Sequence, residues 1–200
     1  MYVPNKQGLV VATHNPHKAN EIRKMLSPWG WEIWTLPDVG WNQVIDEDGE
    51  TLAENAWLKA ETVFGKLGLP VLADDTGLFV DALGGAPGVR TARYAGEKVS
   101  DIDNIAKLLM SLRDAPTRRA CFVTVIVYVS ESGIWFGKGR LCGHIAEAPR
   151  GDRGFGYDPI FIPEGMERTL AELSLEEKNR ISHRQQALAR WVRFMRRKLF

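Results

Sequence analysis

A mixed α/β fold is what this sequence predicts, and three observations carry it. Short apolar runs alternate along the chain with stretches whose apolar residues recur every three or four positions. Clusters of Gly and Pro separate the two kinds of segment. A turn at Gly133 joins two strand-like runs directly, so the sheet cannot be purely parallel. With no repeat, linker or low-complexity stretch, residues 1–200 read as one mixed α/β domain with room for two lobes.

Each element has its own signal. Leu9 to Ala12 form a short apolar strand, after which Asn15 suits a helix N-cap and Pro16 the first helical position. Ala19, Ile22, Met25 and Leu26 follow at helical spacing until Pro28 and Gly30, and a second strand lies near Trp31 to Leu36. Thr51 and Glu54 match a capping box that opens a helix with Ala53, Ala56, Trp57, Ala60 and Phe64 on one face. Pro70 to Ala73 read as a buried strand closed by Asp74-Asp75, with a Gly- and Pro-rich loop from Gly84 to Gly88. Ser100 or Asp101 caps a helix with Ile102, Ile105, Leu108, Leu109 and Leu112 on one face. Arg119 to Ser130, rich in β-branched and aromatic residues, is the longest strand candidate, and Ile134 to Lys138 its hairpin partner before a Gly-interrupted stretch. Ile160 to Ile162 form another strand, and capping boxes at Thr169–Glu172 and Ser174–Glu177 open the terminal helices.

Bulk composition narrows the function classes. A hydrophobic content of 44% with 26% charged residues describes a globular chain. A formal net charge of +1 supplies no global pull toward nucleic acid or membrane, so anion recognition must be local. The two cysteines, Cys121 and Cys142, lie in no zinc spacing and suit a reducing compartment better than a disulfide framework. Met1 to Gln7 lack the charged-then-apolar order of a signal peptide, and the longest apolar run, Cys121 to Val129, is too short to span a bilayer. The expected location is cytoplasmic.

Several segments carry chemistry. Thr13, Asn15 and Lys18 offer hydroxyl, amide and ammonium groups at a helix N-terminus, where backbone N–H groups favour phosphate. A capped helix with a solvated lysine explains the same residues. Asp74 and Asp75 stand at a strand end, and Asp46, Glu47, Asp48 and Glu50 cluster before the next helix, so the two groups together suit Mg²⁺. The acidic run is equally compatible with a solvated loop, and local sequence leaves open which aspartate faces a ligand. Lys59 lies beside the apolar face of its helix, either reaching a phosphate or snorkelling to solvent.

Phe155 between Gly154 and Gly156, followed by Tyr157 and Asp158, combines an aromatic plate with a carboxylate, which suits stacking and edge recognition of a base or a plain buried turn. Lys178, His183 and Arg184 gather near a helix start, where Arg donates to a carbonyl and Lys to phosphate, while His183 also fits a cap or core role. Arg190, Arg193, Arg196, Arg197 and Lys198 alternate with Ala187, Leu188, Trp191, Val192, Met195 and Leu199. They are most simply the solvated complement of that apolar face, which argues against nucleic-acid binding.

Taken jointly, these segments resemble the inosine triphosphate pyrophosphatase family along nearly the whole chain. The matching pieces are Thr13-x-Asn15-x-x-Lys18, Gly49-Glu-Thr-Leu-Ala-Glu-Asn-Ala-Trp-Leu-Lys-Ala60 and Ala73-Asp-Asp-Thr-Gly-Leu78. They continue with Leu83-Gly-Gly-Ala-Pro-Gly-Val89, Thr91-Ala-Arg-Tyr-Ala-Gly96, Phe155-Gly-Tyr-Asp-Pro-Ile-Phe161, Ala171-Glu-Leu173 and Glu177-Lys-Asn-Arg-Ile-Ser-His-Arg184. Each is weak alone, and their common order is specific. The resemblance implies an elongated two-lobed α/β fold with a mixed sheet and a central cleft, a homodimer, and Mg²⁺ as cofactor. It also implies hydrolysis of inosine, deoxyinosine and xanthosine triphosphates to monophosphate and pyrophosphate, which clears deaminated purines from the nucleotide pool.

Carried over by position, the resemblance makes Asp75 the proton acceptor and a metal carboxylate, with Asp46 or Glu47 as the second. Thr13, Asn15, Lys18 and Lys59 then bind the triphosphate, and Thr76, Phe155, Gly156, Tyr157, Asp158, Lys178, His183 and Arg184 complete the nucleotide contacts. Thr76 and Thr91 stand where the family is expected to have serine, and Asp46-Glu47 where it often has two glutamates. The hydroxyl is kept in the first two, and the third leaves the second metal carboxylate open. A nucleotide sensor without turnover is the rival reading, and it predicts tight inosine triphosphate binding without pyrophosphate release. No nucleic acid or membrane partner is expected.

Overall fold

The computed structural model describes residues 8–199, with side chains to residue 197. The readings made on Met1 to Gln7, and on the Lys198 and Leu199 side chains, lie outside the described residues. In chain order the elements are β1 (Gly8–Val11), α1 (Pro16–Leu26), β2 (Glu32–Thr35), α2 (Leu52–Leu67), β3 (Val71–Val80) and β4 (Pro87–Gly88). There follow α3 (Asp101–Ser111), β5 (Arg119–Ser130), β6 (Gly133–Ile145), β7 (Phe161–Pro163), α4 (Leu175–Ile181) and α5 (His183–Leu199).

The strands form one seven-stranded sheet in the order β2-β1-β3-β5-β6-β7, with β4 on β3. β1 runs parallel to β2 and β3, whereas β3–β4 and β6–β7 are antiparallel, so the sheet is mixed as the hairpin requires. The chain divides into two compact units. Unit 1 holds the residues up to Asp75, Val125–Lys138 and Ala187 onward; unit 2 holds Thr76–Thr124 and Gly139–Gln186.

Unit 1 has two apolar clusters. In one, Leu9, Val11, Ile22, Leu26 and Leu72 pack with Trp191 and Leu188 of α5. In the other, Val10, Ala12, Val71, Ala73 and Val127 pack with Ala56, Ala60 and Val63 of α2. The alternation of β1 residues between the two clusters is the period-2 geometry of a strand covered on both faces. Unit 2 is built on Leu78, Val80, Ile105, Leu108, Phe122, Ile145, Ile160 and Phe161.

Capping fixes the helix starts as the sequence predicts. Asn15 Oδ1 accepts from the amides of His17 and Lys18 at 2.9 and 3.2 Å. Reciprocal capping boxes open α2 at Thr51, α3 at Ser100 and α4 at Ser174. The box at Thr169 opens only a single 3-10 turn, Leu170–Glu172.

Several expectations are corrected. Strand β3 does not stop at Asp74-Asp75 but carries both through to Val80, because cations from elsewhere in unit 1 compensate the carboxylates. β6, at 13 residues, runs through its glycines and outlasts β5, at 12. At Gly143 the β7 backbone comes so close that a Cβ would lie 2.0 Å from the Ile162 carbonyl oxygen, so glycine here permits the pairing. Ile102 is 76% exposed and leaves the α3 apolar face to Ile105, Leu108 and Leu112. Cys121 and Cys142 are joined in a disulfide, against the expectation of two thiols. The two-residue connection between β5 and β6 sets them directly opposite, with Cα atoms 4.1 Å apart, a juxtaposition invisible at a sequence separation of 21.

Candidate active site

The polar residues singled out in the sequence fall into two groups, one in each unit. In unit 1 the centre is Asp75, buried in β3. Helix α2 presents Lys59 and Asn55 one turn apart on the same side, both buried. The Lys59 ammonium lies 3.2 Å from Glu47 and 3.6 Å from Asp75. Asn55 donates to the other Asp75 oxygen at 3.3 Å and accepts from the Gly49 amide at 2.8 Å, tying the acidic loop to β3. On the neighbouring residue, Asp74, the Lys18 ammonium of α1 sits at 3.4 Å.

Electrostatics follow from this burial. Desolvation pushes the Asp75 carboxyl above the ordinary range, with Lys59 and Lys18 pulling it back and Glu47 and Asp74 adding to the rise. Burial works against the Lys59 ammonium, but Asp75, Glu47 and Asp74 outweigh it and hold that group above the usual lysine value. Unit 1 thus contains a basic carboxylate poised among fixed charges. Thr13 accepts from the Asn15 amide at 3.1 Å, so Thr13, Asn15 and Lys18 shape one loop that ends at the helix amides. Of the two acidic-loop candidates, Glu47 reaches Lys59, whereas Asp46 is exposed.

In unit 2, Phe155 lies between two glycines with positive φ, and a Cβ on Gly154 would meet Asp158 at 2.0 Å. Asp158 is buried, accepts from the Phe155 amide at 3.0 Å and pairs with Lys178 at 2.5 Å. The same ammonium lies 4.6 Å from the centre of the Phe155 ring, and the Arg184 guanidinium 6.0 Å from it. Gly156 donates its amide to Asp101 at 2.7 Å. Tyr157 turns inward: its ring joins the core and its hydroxyl donates to the Thr91 carbonyl at 3.0 Å, with burial raising its pKa. Thr91 in turn holds β3 to the loop after β4, accepting from the Leu78 amide at 2.7 Å and donating to the Gly88 carbonyl at 2.5 Å.

Two residues with polar roles escaped sequence reasoning. Asn55 hid inside a helical motif, although a buried amide one turn from a lysine is its signal. Thr124 hid in the apolar run of β5, where its γ-hydroxyl lies 2.6 Å from that of Thr76 and 2.6 Å from His183 Nδ1. Phe122, two residues earlier on the same face, stacks on the His183 ring at 5.0 Å.

The sequence profile of the Ham1 family matches residues 9–194. A protein of Thermoanaerobacter pseudethanolicus named dITP/XTP pyrophosphatase is 45% identical over 193 residues, covering 96% of this chain and 98% of that protein. A protein of the same name from Porphyromonas gingivalis is 50% identical over 188 residues, covering 94% and 96%. The solved structure of the Staphylococcus aureus Ham1 protein matches with a TM-score of 0.86 at 38% identity over 96% of this chain and 99% of that one. Full-length identity at this level, joined to the same fold, places the chain in the Ham1 family.

Proposed function

We propose that this chain hydrolyses the α–β anhydride of non-canonical purine nucleoside triphosphates, among them inosine, deoxyinosine and xanthosine triphosphates, and releases the monophosphate and pyrophosphate. The observation that carries the reading is the desolvated Asp75 carboxylate paired with buried Lys59, next to the Lys18–Asp74 pair, in a full-length relative of dITP/XTP pyrophosphatases. Asp75 accepts the proton of the attacking water at its raised pKa, while Lys18, Lys59 and the α1 amides beside Thr13 and Asn15 balance the triphosphate charge. Phe155 offers its face to the base, and His183 and Arg184 are its edge donors. Lys178 fixes Asp158 under the Phe155 turn and leaves positive potential beside it.

The residues fit Mg²⁺ as cofactor. Glu47 and Asp75 are hard oxygen donors within reach of one ammonium. Among the described residues no group of three or more His, Cys, Asp or Glu is gathered. Two carboxylates with the remaining positions left to water and substrate oxygens are what Mg²⁺ takes. When bound, it supplies neutralisation of the phosphate oxygens.

Residues 1–200 act as a single functional domain, since β3, β6 and α5 each contribute to both units. The enzyme works in the cytoplasm, where the nucleotide pool is, and as a homodimer; Ile134 and Phe136, 54% and 51% exposed on β6, support an apolar contact. Among the described residues no helix is long and apolar enough to cross a membrane. The test is pyrophosphate release from inosine, xanthosine, adenosine and guanosine triphosphates, with Mg²⁺ and with chelator. Metal-dependent release confined largely to the first two is expected, and Asp75→Asn should abolish it. Binding without release would sink the hydrolase reading.

A further inference from the structure

We propose that Thr124 sets the proton position on His183, and through it the preference for a 6-oxo purine. The inference rests on the function proposed above and names a positioning residue that touches no substrate. Four groups of unit 2 form a chain: Arg184 Nη2 donates to Thr76 Oγ1 at 3.3 Å, Thr76 Oγ1 lies 2.6 Å from Thr124 Oγ1, and Thr124 Oγ1 lies 2.6 Å from His183 Nδ1. Thr124, His183 and Arg184 are all buried.

The two hydroxyl links read equally well in either direction from their distances alone, but the Arg184 end does not. A guanidinium has only donors, so Thr76 must present its oxygen there. Its positive charge also turns the hydroxyl dipoles so that their hydrogens point away from it, and each aligned bond polarises the next. These two effects favour a chain that runs Arg184 to Thr76 to Thr124 to His183, the direction assigned in this proposal, in which Thr124 donates its proton to Nδ1.

An imidazole that accepts at Nδ1 carries its hydrogen on Nε2. His183 is thus held as the tautomer whose Nε2 is a donor. The Phe122 ring stacked at 5.0 Å fixes the imidazole plane. A donor at that position suits a 6-oxo group and opposes the amino group of adenine, where donor would face donor. Reversing the chain would make Nε2 an acceptor and invert that preference. Selection is accordingly encoded in the orientation of two threonine hydroxyls.

The test uses the intact protein with 15N-labelled histidine. Wild-type His183 should show a protonated Nε2 and an unprotonated Nδ1. Thr124→Val, which keeps the shape and removes the hydroxyl, should lose that assignment and lower the inosine-to-adenosine triphosphate ratio of kcat/KM by about tenfold or more. Thr124→Ser should restore both. A wild-type His183 protonated at Nδ1 overturns the proposal, as does a Thr124→Val protein with unchanged tautomer and unchanged ratio. If Thr124→Val does not fold, the wild-type spectrum still decides. If the wild type releases no pyrophosphate, the function fails while the spectrum continues to test the relay.

Discussion

Replacing Lys59 by methionine keeps most of the side-chain length in α2 and removes the charge that Asp75 and Glu47 share. At 3.6 Å and an effective dielectric of about 20, the attraction to Asp75 alone is roughly 4–5 kcal/mol. Desolvation of the ammonium offsets part of this, and Glu47, 38% exposed, is partly screened, so its 3.2 Å contact adds little. What dominates is the stranded Asp75 carboxylate, and truncating one partner of a buried pair costs roughly 3–5 kcal/mol. Urea denaturation of wild type, Lys59→Met, Asp75→Asn and the double variant measures it as a double-mutant cycle. The double variant should lose much less than the sum of the singles.

The pH dependence gives a second handle on the same pair. Asp75 has a folded pKa above its unfolded value, so its contribution to stability falls as pH rises from the unfolded value through the folded one. Without Lys59 the folded value rises further, so the Lys59→Met deficit should shrink as pH is lowered into that window. Lys59 itself, raised above 10.5, stabilises fully below the unfolded lysine value and loses that contribution as pH climbs through the folded one. A Lys59→Met loss under about 1 kcal/mol, or one independent of pH, would refute the claim that Lys59 is the counter-charge of Asp75.

Further outcomes follow from other sites. The acid limb of kcat/KM should lie above the ordinary aspartate value of 3.8 and move to lower pH as Mg²⁺ is raised, because a dication favours the ionised Asp75; a limb unaffected by Mg²⁺ would place the base elsewhere. Gly143→Ala drives a Cβ against the β7 backbone and should lower Tm by roughly 5–10 °C, read by calorimetry, whereas an unchanged Tm would mean that β7 yields freely. Reducing the Cys121–Cys142 bridge, which spans 21 positions, should cost roughly 3 kcal/mol through loop entropy, seen as a lower urea midpoint in dithiothreitol; an equal midpoint would show that the β5–β6 pairing already restrains the unfolded chain.

What was legible in the sequence is what local chemistry determines. Asn15, Thr51, Ser100 and Ser174 cap their own helices within three residues, so no distant partner is needed to recognise them. The continuation of β3 through Asp74 and Asp75 was not legible, because Lys18 and Lys59, remote in sequence, make two carboxylates tolerable inside a strand. β6 looked broken for the converse reason: Gly143 weakens the strand pattern but admits the β7 backbone. The site lysines and carboxylates were visible as residue types, yet their partition was not. Lys178, read as a phosphate donor, pairs with Asp158 from a distant segment, and the ring of Tyr157, read as a base contact, lies in the core. Thr124 is β-branched among β-branched residues, so only its hydroxyl distinguishes it, and propensity ignores that.

Asp75 and Thr76 are consecutive residues of β3, the first proposed for cleavage and the second for the relay to Thr124 that selects the base. In a strand, a slip of one residue exchanges the two faces for every side chain at once. Damage to this stretch therefore removes cutting and choosing together. A hydrolase that lost only its choosiness would consume the adenosine triphosphate on which the cell runs; one that loses both is merely silent. Placing the two duties on a single peptide bond makes the harmless failure the easier one to reach.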